Sequence, residues 1–108
     1  MKARVRVLVW HRAPARERAA VEQAYQQISA ALAGTPGLLA NELLHARGEQ
    51  DSFVVMSEWQ SLEAFEAWES GTQHRAITAP LRRYRDPGRG VPFEVYEVTA
   101  VSSRSPVA

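Results

Sequence analysis

The chain has 108 residues, of which 45% are hydrophobic, and this length predicts one globular domain over residues 1–101. Its 13 basic and 12 acidic residues leave a formal charge of +1, which argues against a nucleic-acid partner because such proteins need a one-sided positive field. The absence of cysteine excludes disulfides, thiolate nucleophiles and cysteine-based metal sites.

The first predicted element is a strand over residues 4–11. Its alternation places Leu8 and Trp10 on one face and the valines on the other, namely Val5, Val7 and Val9. The apolar run in this strand is interrupted by Arg6 and is too short for a signal segment or a membrane span. We therefore expect a cytoplasmic protein with no membrane partner.

An amphipathic helix follows this strand. Pro14 suits its first turn, and Gly34 and Pro36 mark its end. Between them an apolar stripe recurs at helical spacing, formed by Val21, Ala24, Tyr25, Ile28 and Leu32. The pattern predicts a helix of about 18 residues.

Two strands, over residues 38–46 and 53–59, are joined by a polar loop, which predicts an antiparallel hairpin. In the first of these strands Asn41 shares a face with Leu39 and Leu43. A polar amide on a partly apolar face needs a hydrogen-bond partner. Both a ligand in a cavity and a cross-strand neighbour could supply it.

A short helix is predicted after the hairpin. It begins at Ser61, which is a good N-cap, and Gly71 ends it. Phe65 and Trp68 lie on one side of this helix. Trp68 could therefore either seal the core or form the wall of a cavity.

The last third of the chain is expected to be less regular. A further helical turn or two runs as far as Ile77, after which Pro80 disturbs the helix, and residues 82–90 form a loop. The last strand covers residues 93–101, and residues 102–108 form a flexible tail.

The predicted order β-α-β-β-α-β is that of a ferredoxin-like plait, an α+β fold in which helices cover one face of a four-stranded antiparallel sheet. The other face is then bare, yet the first and third strands place apolar side chains on it, namely Leu8, Trp10, Val54 and Met56. Such a patch exceeds what monomers normally expose. We therefore predict a homodimer that forms through the sheet face.

Several short motifs occur in a particular order and spacing: Thr35-Pro36-Gly37-Leu38, then Phe53 through Phe65, then Trp68 and Ser70 to His74. With these motifs the chain resembles, from its first strand to Val101, the antibiotic biosynthesis monooxygenase (ABM) family of dimeric α+β barrel proteins. The resemblance implies that fold and a range of activities. Family members are cofactor-independent oxygenases of polyketide phenols and quinols, haem-degrading enzymes, small-molecule isomerases, or proteins with no known activity.

The haem-degrading branch carries an Asn on the first strand, a Trp on the helix after the third strand, and a His about nine or ten residues beyond that Trp. Trp68 matches the Trp, whereas the Asn position falls near Trp10 and the His position falls on Ile77 or Thr78. Neither Ile nor Thr ligates haem iron as His does. Haem binding or degradation is therefore the less favoured alternative.

Oxygenation without a cofactor needs a dry pocket, a base and donors for a developing oxyanion, since a deprotonated phenol can itself give electrons to dioxygen. His74 is the best candidate base, although it could also be a helix residue that bonds locally or faces solvent. The pKa of a free imidazole lies roughly 3.5 units below that of a phenol. Unassisted proton transfer from the phenol to the imidazole is therefore uphill by about 5 kcal/mol. Asn41, Tyr84, a Trp N–H or an Arg must therefore assist as donors.

The remaining histidines and arginines carry weaker signals. His11 and His45 lie at strand ends, where we expect them to be exposed, and no metal-ligand spacing occurs in the chain. Four arginines of the predicted loop could attract an anionic substrate or could simply be solvated, namely Arg82, Arg83, Arg85 and Arg89.

The sequence thus predicts a homodimeric ABM-type protein with a small apolar pocket between sheet and helices. His74 is its catalytic base, and four residues bind the substrate: Trp68, Asn41, Trp10 and Tyr84. We expect a monooxygenase that acts on an aromatic polyketide or quinol-like small molecule with dioxygen, without a cofactor or a metal. The alternative is a non-catalytic protein of the same fold that binds a small molecule, and a pocket blocked by the Trp10 and Trp68 side chains, with no buried donor, would favour it.

Overall fold

A computed structural model describes residues 2–102 of the chain. Four strands, three α-helices and two 3-10 turns follow one another in it: β1 (Val5–Arg12), a turn (Ala15–Glu17), α1 (Arg18–Leu32), β2 (Leu38–His45), β3 (Ser52–Trp59), α2 (Leu62–Glu69), α3 (His74–Arg82), a turn (Pro87–Arg89) and β4 (Glu94–Glu97). Residues 103–108, most of the predicted tail, lie outside the described part.

The four strands form one antiparallel sheet in the order β2-β3-β1-β4. This is the predicted ferredoxin-like α+β fold, and that prediction is confirmed. In the register of β1 and β3, Val7 lies opposite Ser57 and Val9 opposite Val55 on the face that the helices cover. The opposite face, which we call the outer face, pairs Leu8 with Met56 and Trp10 with Val54.

The core between sheet and helices consists of two clusters. One gathers the buried stripe of α1 around Phe53 and Leu81. The other packs the β1 valines against Trp59 and Phe65. Trp68 contacts both clusters, and a cavity remains between them. None of the described helices is long and apolar enough to cross a membrane.

The third helix is longer than predicted, because it continues through Pro80 to Arg82. Proline removes one backbone donor from a helix and normally disturbs it. Here Leu81 is 3% exposed and packs into the core against α1, so tertiary packing holds the last turn in place.

The last strand is shorter than predicted, because β1 offers only Val5–Leu8 to it. The next part of the same edge is occupied by residues 84–86, which were predicted to be a loop. Arg12 N donates to the Tyr84 carbonyl at 2.6 Å, and Asp86 N donates to the Trp10 carbonyl at 3.1 Å. An isolated bridge between these two hydrogen bonds joins Arg85 to His11.

The second strand contains a bulge that alters its predicted faces. Leu38 lies opposite Trp59 and Ala40 lies opposite Glu58, so Leu39 has no partner in β3. Leu38 therefore packs inward against the core, and Leu39 is 46% exposed. The prediction that Leu39 shares the inner face with Asn41 is wrong for this reason.

Candidate functional site

A cavity of about 420 Å³ lies between the inner face of the sheet and the three helices. Its walls are largely apolar, with side chains from β1, β3 and all the helices, among them Val7, Val9, Val55, Ile28, Phe65 and Leu81. A space of this size and character can hold a small aromatic molecule. Its polar groups are few, and their positions decide what the cavity can do.

Trp68 forms one wall of the cavity, and His74 stands against it. The helix α2 ends at Glu69 and α3 begins at His74, so the short turn at residues 70–73 folds the two side chains together. Their ring centroids are 4.5 Å apart and their planes meet at 84°. Both residues line the cavity, as predicted.

The indole N–H of Trp68 is buried and has no hydrogen-bond partner among the described residues. The indole also packs on Trp59, with ring centroids 5.5 Å apart. A buried donor without a partner is unfavourable unless a ligand or a water accepts from it. A bound molecule can accept from this N–H only where a neighbouring side chain moves, because the nitrogen itself is fully buried.

His74 is held in its neutral form. Burial lowers its pKa below the usual 6.5, and the positive charges of Arg82, Arg85 and Arg75 lower it further, whereas Glu69 opposes them. A neutral imidazole can accept a proton, so the protonation state suits a base, although the lowered pKa makes it a weaker one.

A second histidine also lines the cavity, which the sequence analysis missed. His11 is 4% exposed, so the expectation that it is exposed at a strand end is wrong. Burial and the charge of Arg85 lower its pKa to about 4, and its Nδ1 has no partner among the described residues. The signal was present in the sequence, because the alternation that turns Val7 and Val9 inward also turns His11 inward.

Asn41 lines the cavity as predicted, but its partner is a helix residue. The Tyr25 hydroxyl donates to the Asn41 carbonyl at 3.0 Å and to the side-chain Oδ1. This hydrogen bond, which was not among the partners considered from the sequence, satisfies the amide oxygen of Asn41 but not its NH2 group. Tyr25 holds the Asn41 oxygen toward α1, which leaves the amide NH2 to donate elsewhere.

Trp10 and Tyr84 do not line the cavity, and their predicted places are wrong. Trp10 lies on the outer face, where the Arg89 guanidinium stands 4.0 Å from its ring. Tyr84 is buried in the α1 core cluster, and its hydroxyl donates to Glu17 Oε1 at 3.1 Å. Strand alternation explains the first placement, and the pairing of residues 84–86 with β1 explains the second.

The comparison with protein families decides the identity of this fold. A model of the family described as antibiotic biosynthesis monooxygenase matches residues 4–80. The chain belongs to the antibiotic biosynthesis monooxygenase family.

Relatives of this ABM chain differ in length and in chemistry. Protein SchA of Streptomyces halstedii is 28% identical over 98 residues, which are 91% of this chain and 26% of SchA, so the chain spans about a quarter of that relative's length. The structure of SnoaB, a cofactor-independent oxygenase of Streptomyces nogalater, is 20% identical, with a TM-score of 0.69 over 95% of this chain and 97% of SnoaB. A haem-degrading protein of Mycobacterium tuberculosis, in a haem-free structure, is 23% identical, with a TM-score of 0.70 over 96% and 100% of the two chains.

Haem does not fit the ABM chain in the way the haem-degrading branch implies. Ile77 packs against the core, and the Thr78 hydroxyl donates to the His74 carbonyl at 2.9 Å, so neither offers iron a ligand at the expected position. In the part of the chain that the structure describes, no three His, Cys, Asp or Glu residues are grouped as metal ligands.

Proposed function

We propose that this ABM protein is a cofactor-independent monooxygenase that acts on an aromatic polyketide or quinol-like small molecule. The observation that carries the proposal is the pair formed by Trp68 and His74 at the cavity wall. The ring centroids of the two residues are 4.5 Å apart beside an apolar space of about 420 Å³, and the buried indole N–H has no partner among residues 2–102. These are the groups that deprotonation of a phenol requires.

The reaction begins when a bound phenol or enol donates its O–H to a ring nitrogen of His74. Transfer of that proton leaves an electron-rich carbanion or phenolate, which reduces dioxygen directly. The ring carbon of that anion binds dioxygen as a peroxide, which takes the proton back from His74 and becomes a hydroperoxide. Loss of the remaining proton on that carbon then breaks the O–O bond, so the carbon becomes a carbonyl and the outer oxygen leaves as water. Counted from the keto tautomer, in which this carbon is a CH2 group, the carbon supplies the four electrons that dioxygen accepts.

The proton transfer needs help from the surroundings of His74. The pKa of a phenol, near 10, is roughly 3.5 units above that of a free imidazole. The lowered pKa of His74 makes this difference larger. The positive charges that lower the pKa of His74 also lower the pKa of a phenol bound beside it, because they favour the anion. The Trp68 N–H can donate to the same oxyanion.

His11 is proposed as a substrate contact and not as a base. Its pKa of about 4 keeps it neutral across physiological pH and makes it a poor proton acceptor. Its buried Nδ1 has no partner within residues 2–102, so a ligand that reaches this nitrogen would form one hydrogen bond with it. Asn41 can add a further donor from β2.

A homodimer through the outer face is part of the proposal. In addition to Leu8, Trp10, Val54 and Met56, this face carries Leu44, which is 43% exposed and lies opposite Val54. An apolar surface across three strands favours association over exposure to water.

The test is oxygen uptake with a panel of anthrones and quinols, comparing the wild type with His74→Ala. His45→Ala is the matched control, because His45 stacks on Phe53 and does not line the cavity. We expect turnover in the wild type and in the control, and a loss in His74→Ala. Equal turnover in all three proteins would remove His74 from the mechanism.

Two alternatives are tested with the same protein. A non-catalytic binding protein would show saturable binding of the panel without oxygen uptake. The condition that favours it from the sequence is not met, because Trp10 lies outside the cavity and Trp68 contributes a buried donor to the cavity wall. Haem binding would shift the Soret band when hemin is titrated into the protein, and the proposal expects no shift.

A further inference from the structure

The arginines of residues 75–89 divide into two groups. Arg83 lies 3.9 Å from Glu17 Oε1, and Arg89 stands over the ring of Trp10, so both point away from the cavity. The other three line the cavity, namely Arg75, Arg82 and Arg85. The two groups therefore differ in what their guanidinium groups contact.

The three cavity arginines, which we call the arginine corner, have no acidic partner among the described residues. No carboxylate of the described residues lies within 4.0 Å of their guanidinium nitrogens. Other arginines of residues 2–102 do form ion pairs, and they account for most of the ion pairs there. The single carboxylate in the cavity lining is Glu69. The lining therefore carries an excess of positive charge that only an anion from outside the described residues can offset.

The arginine corner lies beside both histidines. The charge of Arg85 lowers the pKa of His11 and of His74, and those of Arg75 and Arg82 lower the pKa of His74 as well. These electrostatic effects require the guanidinium groups to be near the rings. The corner and the apolar space thus belong to one site.

The corner is also partly preorganised. One nitrogen of Arg82 donates to the Arg75 carbonyl at 2.7 Å and to the Thr78 hydroxyl at 3.1 Å, which fixes that side chain against α3. Arg75 and Arg85 are exposed residues that also line the cavity, so they stand where it opens to solvent.

We propose that the arginine corner binds a carboxylate on the ligand, so that the ligand is an aromatic carboxylic acid with its ring in the apolar part of the cavity. A neutral quinol carries no charge to offset the arginines until it is deprotonated, whereas a carboxylate is charged at neutral pH. Its two oxygens also match the fork of a guanidinium. That the ring of this ligand is oxygenated rests on the proposed function. Binding of its carboxylate by the arginine corner does not require oxygenation.

The test compares three ligands that share one ring system: 2-naphthoate, its methyl ester and 2-naphthyl phosphate. Titration calorimetry with the full chain, at low and high salt, measures each dissociation constant. We expect the carboxylate to bind on the order of tenfold more tightly than the ester, the advantage of about one charge-assisted hydrogen bond. High salt should reduce this ratio, because it screens exposed charges.

The variants Arg85→Gln and Arg75→Gln remove charge from the corner without removing a hydrogen bond seen within the protein. Each should lower the ratio of ester to carboxylate dissociation constants several-fold and leave ester binding unchanged. Arg83→Gln is the matched control, since it removes the same charge from a neighbouring position that faces Glu17. It should leave the ratio as in the wild type.

Several outcomes would overturn the proposal. These are equal affinity for 2-naphthoate and its methyl ester, an equal loss of the ratio in Arg83→Gln, and no binding of 2-naphthoate. Tighter binding of the aryl phosphate would overturn the assignment to a carboxylate. If 2-naphthoate binds but the anthrone and quinol panel causes no oxygen uptake, the proposed function is contradicted and the arginine corner is not. If neutral quinols are turned over with the same KM in the wild type and in Arg85→Gln, the arginine corner is contradicted and the proposed function is not.

Discussion

The rings of Trp68 and His74 meet at nearly a right angle, with their centroids 4.5 Å apart, across the turn between α2 and α3. This contact places an N–H that has no partner among residues 2–102 beside an imidazole at the wall of an apolar cavity. In the proposed reaction, this pair is where the reacting oxygen of a substrate binds.

The indole N–H of Trp68 should matter for turnover. Trp68→Phe keeps an aromatic wall and removes the donor, and loss of one oxyanion donor lowers kcat by roughly a hundredfold. Trp10→Phe is the control, because it makes the same change on the outer face. Steady-state oxygen uptake measures both variants, and an equal effect in the two would show that the N–H has no special role.

The pH dependence of kcat/KM should report the surroundings of His74. The neutral form is the base, so the rate falls as the pH drops through the pKa of His74, and that pKa lies below 6.5. Arg85→Gln removes a positive charge that lowers this pKa, so the acid limb should move to higher pH. Arg83→Gln should leave the acid limb of the kcat/KM profile at the same pH. A shift of that limb to lower pH in Arg85→Gln would contradict its assignment to His74.

His11 should make stability depend on pH. Its pKa is about 4 in the folded protein and near 6.5 in the unfolded chain, so between these values the unfolded state binds more protons. The free energy of unfolding should therefore be highest above pH 6.5 and fall by up to about 3 kcal/mol as the pH approaches 4. Urea unfolding at several pH values measures this fall. In His11→Gln the fall should shrink, whereas in His45→Gln it should persist.

The hydroxyl of Tyr25 should stabilise β2 against α1. Tyr25→Phe leaves two oxygens of Asn41 without that donor, which costs about 1–2 kcal/mol in the free energy of unfolding. Tyr96→Phe is the control, because Tyr96 is 52% exposed, and its effect should stay within about 0.5 kcal/mol. Chemical denaturation measures both, and equal effects would contradict the role of this hydrogen bond.

The outer face should control assembly. Leu44→Asp places a charge on that face, whereas Leu62→Asp places the same charge on α2, where the leucine is similarly exposed at 41%. Sedimentation at micromolar concentration should show a dimer for the wild type and for Leu62→Asp, and a monomer for Leu44→Asp. A monomeric wild type would contradict the proposed dimer.

Local patterns predicted most of the elements correctly because the interactions that define them are close in sequence. The stripe from Val21 to Leu32 is buried on α1 as the spacing indicated. The Ser61 hydroxyl accepts from Ala64 N at 3.2 Å, as an N-cap should. The errors fell where contacts distant in sequence override the local pattern. Core packing of Leu81 carries α3 through Pro80, a bulge against β3 turns Leu39 outward, and the edge of β1 binds residues 84–86.

The sequence by itself determined the order of strands and helices, the inward face of β1 and the candidate pair Trp68 and His74. All of these depend on side-chain periodicity and on caps within a few residues. Only the tertiary structure decided which polar groups share the cavity. The pairing of residues 84–86 with β1 buries His11, places Arg85 beside it and turns Tyr84 away, because a strand edge binds whichever backbone reaches it, and periodicity alone does not say which segment that is.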